Sequence, residues 1–332
     1  MNRLVIAPNW IGDAVMSLPV LRALRRHGPA DRLTVLAGRG PGAIYRAEGS
    51  ADEVLPRSSF LGDVRAIRSR RFDEAWLLPH SLRAGLLAAL SGAPRRLGYA
   101  TDRRGRLLTD APVRPPGNRH QLRDYDELLH RAGIEPDFDA PRLPIPEPAA
   151  RRARSAAAAA GISKRTVVLC PGSASAVTKR WPADRFAALA DRLSERGLSA
   201  AVAVGPGERP LGEEIARAAR SRPPVVGDDL DPVELAALFA EAGVVTSNDS
   251  GPAHLAGAVG TPVVAIFGAT DPGRTAPSGA PVRVLDRYVF CSPCFRQTCP
   301  YGHECMREIG VEDVLRAVEE LMEELRIENT ES

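Results

Sequence analysis

The 332-residue chain is poor in cysteine and aromatic residues, and it contains no long apolar run. Its five cysteines are too few for a disulfide scaffold, which excludes the small disulfide-rich secreted domains. No stretch of about 18 apolar residues occurs, so a transmembrane helix is not expected. The first apolar stretch, Leu4–Ile6, is too short for the core of a signal peptide, and we therefore expect a cytoplasmic protein.

Lysine is also scarce, because 42 of the 44 basic residues are arginines and only Lys164 and Lys179 are lysines. An ammonium is a compact point charge and a guanidinium is a wide planar fork, so each lysine is a candidate for chemistry that arginine cannot perform. The net charge of +3 is uneven, since residues 1–150 carry +6 and residues 151–332 carry −3. The basic half predicts an anionic partner, although a solvated arginine-rich surface would have the same composition.

Two function classes are disfavoured by what the chain lacks. Aromatic residues make up 5% of the chain and form no stacking platform, which together with the modest charge argues against nucleic-acid binding. No clean Gly-x-Gly-x-x-Gly follows the first predicted strand, at residues 6–11, which argues against a dinucleotide oxidoreductase.

Short apolar runs alternate with amphipathic segments along the chain, a rhythm typical of parallel sheets covered on both faces. The predicted strands are 4–7, 33–37, 53–55, 75–78, 96–99, 166–170, 200–204, 244–247 and 262–267. The predicted helices include 15–27, 82–90, 122–132, 153–160, 183–196, 211–219, 232–242 and 252–259. Five prolines in 135–148 predict a linker. We therefore predict an α/β protein with two Rossmann-like doubly wound domains facing a central cleft, 1–148 and 149–310, and a C-terminal helix in 311–332.

The first motif, residues 8–14, lies where the first strand should end and the first helix begin. Asp13 falls near the start of that helix, where an aspartate is a good cap. A carboxylate at the end of a strand is also placed to take a proton from a substrate, and both interpretations stay open.

The second motif, residues 248–254, follows the predicted strand 244–247 and carries a glycine where a helix should begin. Three backbone N–H groups are predicted to point out of the helix start and to suit a phosphate, those of Ser250, Gly251 and Ala253. Asp249 could accept hydrogen bonds from sugar hydroxyls. His254 is either part of the same site or a satisfied structural histidine.

Two further loops follow predicted strands and offer groups for a phosphorylated ligand. Loop 171–175 supplies glycine and hydroxyls, including Ser173, and Lys179 follows it closely. Loop 204–208 combines glycines with Glu208, a carboxylate of the kind that meets a ribose, although turns also use Gly-Pro-Gly freely.

Four of the five cysteines lie in one short segment that also contains His303. They are Cys291, Cys294, Cys299 and Cys305. Four sulfur ligands within fifteen residues could hold a structural Zn²⁺ tetrahedrally. The spacing matches no standard finger, so reduced thiols that pack a loop and a disulfide remain alternatives.

Taken together, these residues resemble glycosyltransferase family 9, the ADP-heptose:lipopolysaccharide heptosyltransferases, over nearly the whole chain. The resemblance is carried by Asn9–Asp13, Pro171–Ser173, Lys179–Pro182, Asn248–Ala256 and Phe267–Pro272. It implies a GT-B fold in which the first domain binds the acceptor, the second binds the nucleotide sugar, and the final helix packs back on the first. Residues 10–13 and 291–295 look most like the type that adds the second heptose of the inner core.

The resemblance also implies roles for single residues in an inverting transfer from ADP-heptose. Asp13 matches the catalytic base, Lys179 the lysine at the phosphate and sugar of the donor, and Asp249 the aspartate at the heptose hydroxyls. The other donor contacts that it implies are Ser173, Glu208, Ser250, Gly251 and His254. No Asp-x-Asp pair follows a predicted strand, so no metal cofactor is expected at the pyrophosphate.

The implied acceptor is anionic and lipid-anchored, which gives the basic half of the chain a role. Its candidate contacts are Arg57, Arg83, Arg96, Arg103, Arg104 and His120. We expect the protein to work at the inner face of the cytoplasmic membrane of a Gram-negative cell, held by weak charge attraction. Two alternatives stay open: a family 9 transferase that adds another heptose or uses another nucleotide sugar, and a non-catalytic nucleotide-sugar binder.

Overall fold

The computed structural model describes residues 1–115, 117–136 and 140–331. The chain divides into two compact units between Leu143 and Pro144. This division lies within the predicted linker and five residues before the predicted domain boundary. Residues 137–139 of the predicted linker and Ser332 at the end of the predicted C-terminal segment lie outside the described residues.

The first unit contains one sheet of five parallel strands connected by helices. Its strands are β1 (Asn2–Ile6), β2 (Arg32–Ala37), β3 (Glu53–Pro56), β4 (Glu74–Leu77) and β5 (Arg95–Leu97). Its helices are α1 (Ile11–Met16), α2 (Leu18–His27), α3 (Arg39–Glu48), α4 (Phe60–Arg68), α5 (Leu82–Ser91) and α6 (Gln121–Arg131). The strand order β3-β2-β1-β4-β5 places the switch in connection direction between β1 and β4.

Burial on both faces explains why the strands of this unit read as continuous apolar runs. Leu4, Val5 and Ile6 of β1 are all inaccessible to solvent, as expected for a parallel sheet covered by helices. The predicted helix 15–27 is wrong in one respect, because the chain breaks at Ser17 into α1 and α2. Pro19 has no N–H to continue the α1 ladder, and the Ser17 hydroxyl donates to Ala14 O at 2.8 Å.

The second unit contains a sheet of six parallel strands. Its strands are β6 (Thr166–Cys170), β7 (Ser199–Ala203), β8 (Val225–Val226), β9 (Val244–Asn248), β10 (Val263–Ile266) and β11 (Val282–Leu285). Its helices are α7 (Glu147–Ala160), α8 (Ala183–Glu195), α9 (Arg209–Ala218), α10 (Pro232–Glu241), α11 (Gly251–Ala258), α12 (Pro272–Thr275), α13 (Glu304–Arg307) and α14 (Val311–Glu331). The order β11-β10-β9-β6-β7-β8 places the switch between β6 and β9.

The long final helix α14 belongs to the second unit. Its residues Val314, Leu315, Val318 and Leu321 are buried in the core of that unit together with side chains of α8. Their spacing of three and four residues forms one apolar stripe along the helix. The return of this helix to the first domain, which the family resemblance implies, stays a prediction.

All nine predicted strands are present, and the two Rossmann-like sheets confirm the predicted α/β class. Two strands escaped prediction, β8 and β11. Strand β8 has only two residues, and β11 lies at the sheet edge and carries Arg283, so neither forms an apolar run. None of the described helices is long and apolar enough to cross a membrane.

Candidate functional site

The loops at the switch point of the second sheet bring three predicted segments together. Lys179, after β6, donates from Nζ to Asp249 Oδ2 at 2.7 Å. The hydroxyl of Thr270, after β10, donates to the same oxygen at 2.6 Å. Asp249 is 6% exposed and the Lys179 side chain is 20% exposed, so the ion pair lies at a partly open edge. The structure thus joins the predicted lysine and aspartate into one ion pair.

The buried side chain of Asn248 joins these loops through hydrogen bonds. Its Oδ1 accepts from Trp181 N at 2.9 Å, and its Nδ2 donates to Pro171 O at 2.8 Å. Asn248 and Trp181 are both buried, so the bonds are shielded from water. These hydrogen bonds therefore join loop 171–182 to the end of β9 and fix the position of the Lys179 backbone.

Helix α11 begins at Gly251, directly after this ion pair, as the sequence predicts. Ser250 is its N-cap residue in extended conformation, and its hydroxyl lies 3.2 Å from that of Ser247 rather than over the helix N–H groups. The Ala253 N–H donates to Ser250 O at 3.1 Å, so one of the three N–H groups predicted for a phosphate is already bonded. His254 is 5% exposed, about as buried as Asp249, and its place in the donor site stays a prediction.

Ser173 and Glu208 are brought together at the ends of β6 and β7. Glu208 accepts from Gly205 N at 3.2 Å and lies 3.5 Å from the guanidinium of Arg180. A Cβ at Gly172 would lie 2.0 Å from Glu208 Oε2, so only glycine allows this approach. The Ser173 hydroxyl is buried and has no hydrogen-bond partner among the described residues. A buried orphan hydroxyl indicates a ligand or a water at this loop.

Asp13 lies in the first unit, in the first turn of α1 after β1. The N-cap residue of this helix is Trp10, so Asp13 is not the predicted cap, although a carboxylate is stabilised at this end of a helix. The loop before it is held by Arg57, which follows β3 and donates to Asn9 Oδ1 and, at 3.2 Å, to Ala7 O. Burial lowers the pKa of Arg57, whose guanidinium binds the loop of the candidate base.

The other predicted acceptor contacts have different surroundings. Arg83 is exposed and pairs with the buried Asp63 at 2.9 Å, and Arg103 is exposed. Arg96 donates to Leu107 O and Ala93 O and holds its own loop. His120 is the N-cap residue of α6, and its Nδ1 accepts from Leu122 N at 3.4 Å.

Arg104 is the prediction that the structure corrects. Its side chain is fully buried and donates to the carbonyls of Tyr99 and Pro79. Burial lowers its pKa to about 10. Arg104 therefore joins the loops after β4 and β5 and is not a surface contact for an acceptor, because it is fully buried and two of its three guanidinium nitrogens donate inside the unit.

His80 is a residue that the sequence analysis missed. It follows β4, next to the switch point of the first sheet, and its Nδ1 lies 3.4 Å from the hydroxyl of Thr101. That hydroxyl donates to His80 O at 3.0 Å. Burial, with the charges of Arg104 and Arg114, lowers the pKa of His80 to about 4. A lone histidine in a leucine-proline context offers no sequence signal for this environment.

The four clustered cysteines line one cavity of about 10 Å³, together with Thr178, Ala269 and His303. All five cysteines of the chain are free thiols, which removes the disulfide alternative in this structure. Within the described residues, no group of three or more His, Cys, Asp or Glu side chains has the arrangement of a metal site. The zinc expectation stays a prediction, which metal analysis of the purified protein will test.

The second unit therefore presents an ammonium, a carboxylate, a helix start and an orphan hydroxyl at one sheet edge. These groups suit a ligand that combines phosphates with sugar hydroxyls. The first unit presents a carboxylate in the first turn of α1, with the guanidinium of Arg57 bonded to the loop before it, at the edge of its own sheet. Sequence analysis missed Thr270, Asn248 and Arg180 as site residues, although all three lie within segments that carry the family resemblance.

Comparisons with known proteins give matches over most of the chain. The model of glycosyltransferase family 9 (heptosyltransferase) matches residues 63–304. Lipopolysaccharide heptosyltransferase 2 of Salmonella typhimurium is 26% identical over 347 residues, covering 98% of this chain and 99% of that protein. The structure of E. coli ADP-heptose lps heptosyltransferase II matches with a TM-score of 0.81 at 24% identity, over 98% of this chain and 100% of that one. A glycosyl transferase family 9 structure from Veillonella parvula matches with a TM-score of 0.83 at 23% identity, over 97% of each chain. Both structures confirm the predicted GT-B fold.

Proposed function

The chain belongs to glycosyltransferase family 9 (heptosyltransferase), and on this basis we propose that it transfers a heptosyl group from ADP-heptose to the inner core of lipopolysaccharide. We further propose that it adds the second heptose, to an acceptor that carries one heptose on Kdo₂-lipid A. The relatives named lipopolysaccharide or lipooligosaccharide heptosyltransferase 2 support this choice of acceptor.

The observation that carries the proposal is the ion pair between Lys179 and Asp249. It joins a cation suited to phosphate and a carboxylate suited to sugar hydroxyls at the carboxyl edge of the second sheet, beside the start of α11. Ligands of open parallel sheets bind at this edge. A nucleotide sugar requires both kinds of group within a few ångströms, because its pyrophosphate is attached directly to the sugar.

In the proposed reaction, Asp13 accepts the proton of the acceptor hydroxyl as the oxygen attacks the anomeric carbon. The bond from that carbon to the pyrophosphate oxygen breaks, ADP leaves from the opposite face, and the configuration inverts. The proton ends on Asp13 and the bonding electron pair ends on the pyrophosphate. Asp13 lies in the first turn of α1, and the partial positive charge at that end of a helix stabilises the carboxylate that this step needs.

The departing pyrophosphate gains negative charge in the transition state. Lys179, the N–H groups at the start of α11 and the Ser173 hydroxyl are the groups that we propose to stabilise it. Such preorganised groups contribute several kcal/mol, and removing one donor typically costs about 10²–10³ in rate. We assign Glu208 to the ribose of the nucleotide, because the carboxylate is held at the loop after β7 by Gly205 and Arg180.

The acceptor is proposed to bind the first unit through exposed guanidinium groups. Arg83 and Arg103 are accessible there, and Arg57 lies beside the loop of Asp13. We propose that the protein works at the inner face of the cytoplasmic membrane, where the basic half is attracted to anionic lipid.

The experiment that tests this function is mass-spectrometric product analysis with ADP-heptose and two acceptors. One acceptor carries only the inner Kdo sugars, and the other carries Kdo and one heptose. We expect transfer to the second acceptor only. Transfer to the first alone would assign the chain to another step of core assembly, and ADP-heptose binding without turnover on either acceptor would indicate a non-catalytic binder.

A further inference from the structure

The segment between β11 and α13 contacts both loops that carry the ion pair of the donor site. Residues 286–303 form no helix or strand, yet they are bonded to the second unit at several points. His303 Nε2 lies 2.6 Å from Thr178 O, and because a carbonyl only accepts, Nε2 carries the proton. Thr178 directly precedes Lys179 in a short 3-10 turn, so this bond fixes the peptide from which the lysine projects.

A second set of bonds from the same segment reaches Asp249. The N–H groups of Cys294 and Phe295 both donate to Ala269 O, at 3.1 and 2.8 Å. The next residue, Thr270, donates from its hydroxyl to Asp249 Oδ2. The segment therefore holds the lysine side of the ion pair through one carbonyl and the aspartate side through another.

The backbone of this segment adopts unfavourable conformations at its two contact points. His303 has φ of 66° and Phe295 has φ of 53°, the left-handed region that residues with a Cβ rarely adopt. Such conformations persist only where the surroundings hold them, and they concentrate at functional sites. Here the end of the segment is held by Met306 and Cys305, which are buried against Gly268.

We propose that His303 is a positioning residue of the donor site, which orients Lys179 by holding the Thr178 carbonyl. The proposal rests on the transfer function proposed above and extends it to a residue that acts through the Thr178 carbonyl. The hydrogen bond from Nε2 limits rotation of the Thr178–Lys179 peptide, so Lys179 Nζ stays within reach of both Asp249 and the donor phosphate. Loss of the bond would leave the fold intact and let the ammonium move, and a misplacement of about 1 Å costs up to about 100-fold in rate.

Two substitutions separate positioning from folding. His303→Asn introduces a residue that tolerates the left-handed conformation, but the asparagine side chain is one bond too short for its amide nitrogen to reach Thr178 O. His303→Gln places its amide nitrogen at about the position of Nε2 and can restore the bond. We expect His303→Asn to lower kcat/KM for ADP-heptose by about 10- to 100-fold with a wild-type melting temperature, and His303→Gln to recover most of the loss.

The results that would overturn the inference are distinct from those that would overturn the function. Two results with an active wild type contradict positioning and leave the proposed function standing. One is a His303→Asn variant with the kcat/KM of the wild type, and the other is an equal loss of kcat/KM in both variants. If the wild type transfers to neither acceptor, the proposed function fails. The affinity of each variant for ADP, measured by calorimetry, then tests whether His303 positions Lys179. Weaker ADP binding in His303→Asn than in His303→Gln supports positioning, and equal or absent binding overturns it.

Discussion

Lys179 and Lys164 provide a direct test of what an ammonium contributes to this chain. Lys179 Nζ shares Asp249 Oδ2 with Thr270, an arrangement that suits a point charge and not a planar fork. We expect Lys179→Arg to lower kcat by about 10- to 100-fold in the transfer assay. Lys164→Arg is the matched control, since Lys164 donates to the carbonyls of Ala240 and Ala242 at the end of α10. Wild-type kinetics in Lys179→Arg would show that any cation suffices.

Asp13→Asn tests the assignment of the base. The amide keeps the size of the side chain and loses the ability to take a proton, so we expect transfer to fall by about 10²–10⁴. ADP affinity should stay unchanged, because the groups assigned to the nucleotide belong to the second unit. Rates come from product formation and affinity from calorimetry. A variant that turns over at the wild-type rate would remove Asp13 from the mechanism.

His80 predicts a pH dependence of stability. Its pKa falls to about 4 in the folded protein, mainly through burial, and is about 6.5 in the unfolded chain. Between these values the unfolded chain binds more protons, so the free energy of unfolding falls as the pH drops, by up to about 3 kcal/mol. Urea denaturation at pH 7.5, 6 and 5 measures this. His80→Gln should lose less stability over the range, and parallel curves for variant and wild type would contradict the assignment.

Single residues were predictable where a motif follows a strand. Lys179 and Asp249 were each singled out in this way, but their bond was not predictable, because they are 70 positions apart in sequence. Arg104 was misjudged because residue type does not reveal burial, and a buried guanidinium looks like any other arginine in the sequence. His80 lies in no motif, and His303 was noted only as part of the cysteine segment, since their roles arise from the carbonyls and charges that the fold brings beside them.

At the scale of elements, the apolar runs predicted nine of the eleven described strands, whereas the neighbours of each strand came from the structure. The switch between β6 and β9 decides which loops meet, and it brings the loops 171–182 and 249–254 to one edge. In the first sheet the switch between β1 and β4 does the same for the loops of Asp13 and His80. Strand order depends on long-range pairing, which local periodicity does not encode.

Helix α14 makes an element-scale prediction about stability. Leu321 is fully buried in the core of the second unit, so Leu321→Ala leaves a cavity and should cost about 2–5 kcal/mol in the free energy of unfolding. Arg316→Ala, on the exposed face of the same helix, is the control and should change stability by less than about 0.5 kcal/mol. Chemical denaturation measures both. Equal stability of the two variants would mean that the apolar stripe of α14 does not support the core.

At the scale of the whole molecule, the charge asymmetry survives the pairing of individual side chains. Arg3, for example, is buried against Glu74 and Asp31, but each such pair removes one charge of each sign and leaves the +6 of residues 1–150 unchanged. The field of the first half therefore attracts anions even though several of its arginines have internal roles. This field is what the proposed contact with anionic membrane depends on.

Vesicle binding tests whether attraction to an anionic membrane depends on the basic charge of the first unit or only on the net charge of the protein. We expect sedimentation with anionic phospholipid vesicles at low salt, and about 0.5 M salt should abolish it because the Debye length then falls below about 5 Å. Arg65→Glu with Arg68→Glu, on the exposed face of α4, should weaken binding strongly. Arg217→Glu with Arg222→Glu makes the same change in net charge on the second unit and should weaken it little. Equal losses from the two pairs would show that the protein responds to net charge alone, and binding to neutral vesicles would show that the attraction is not electrostatic.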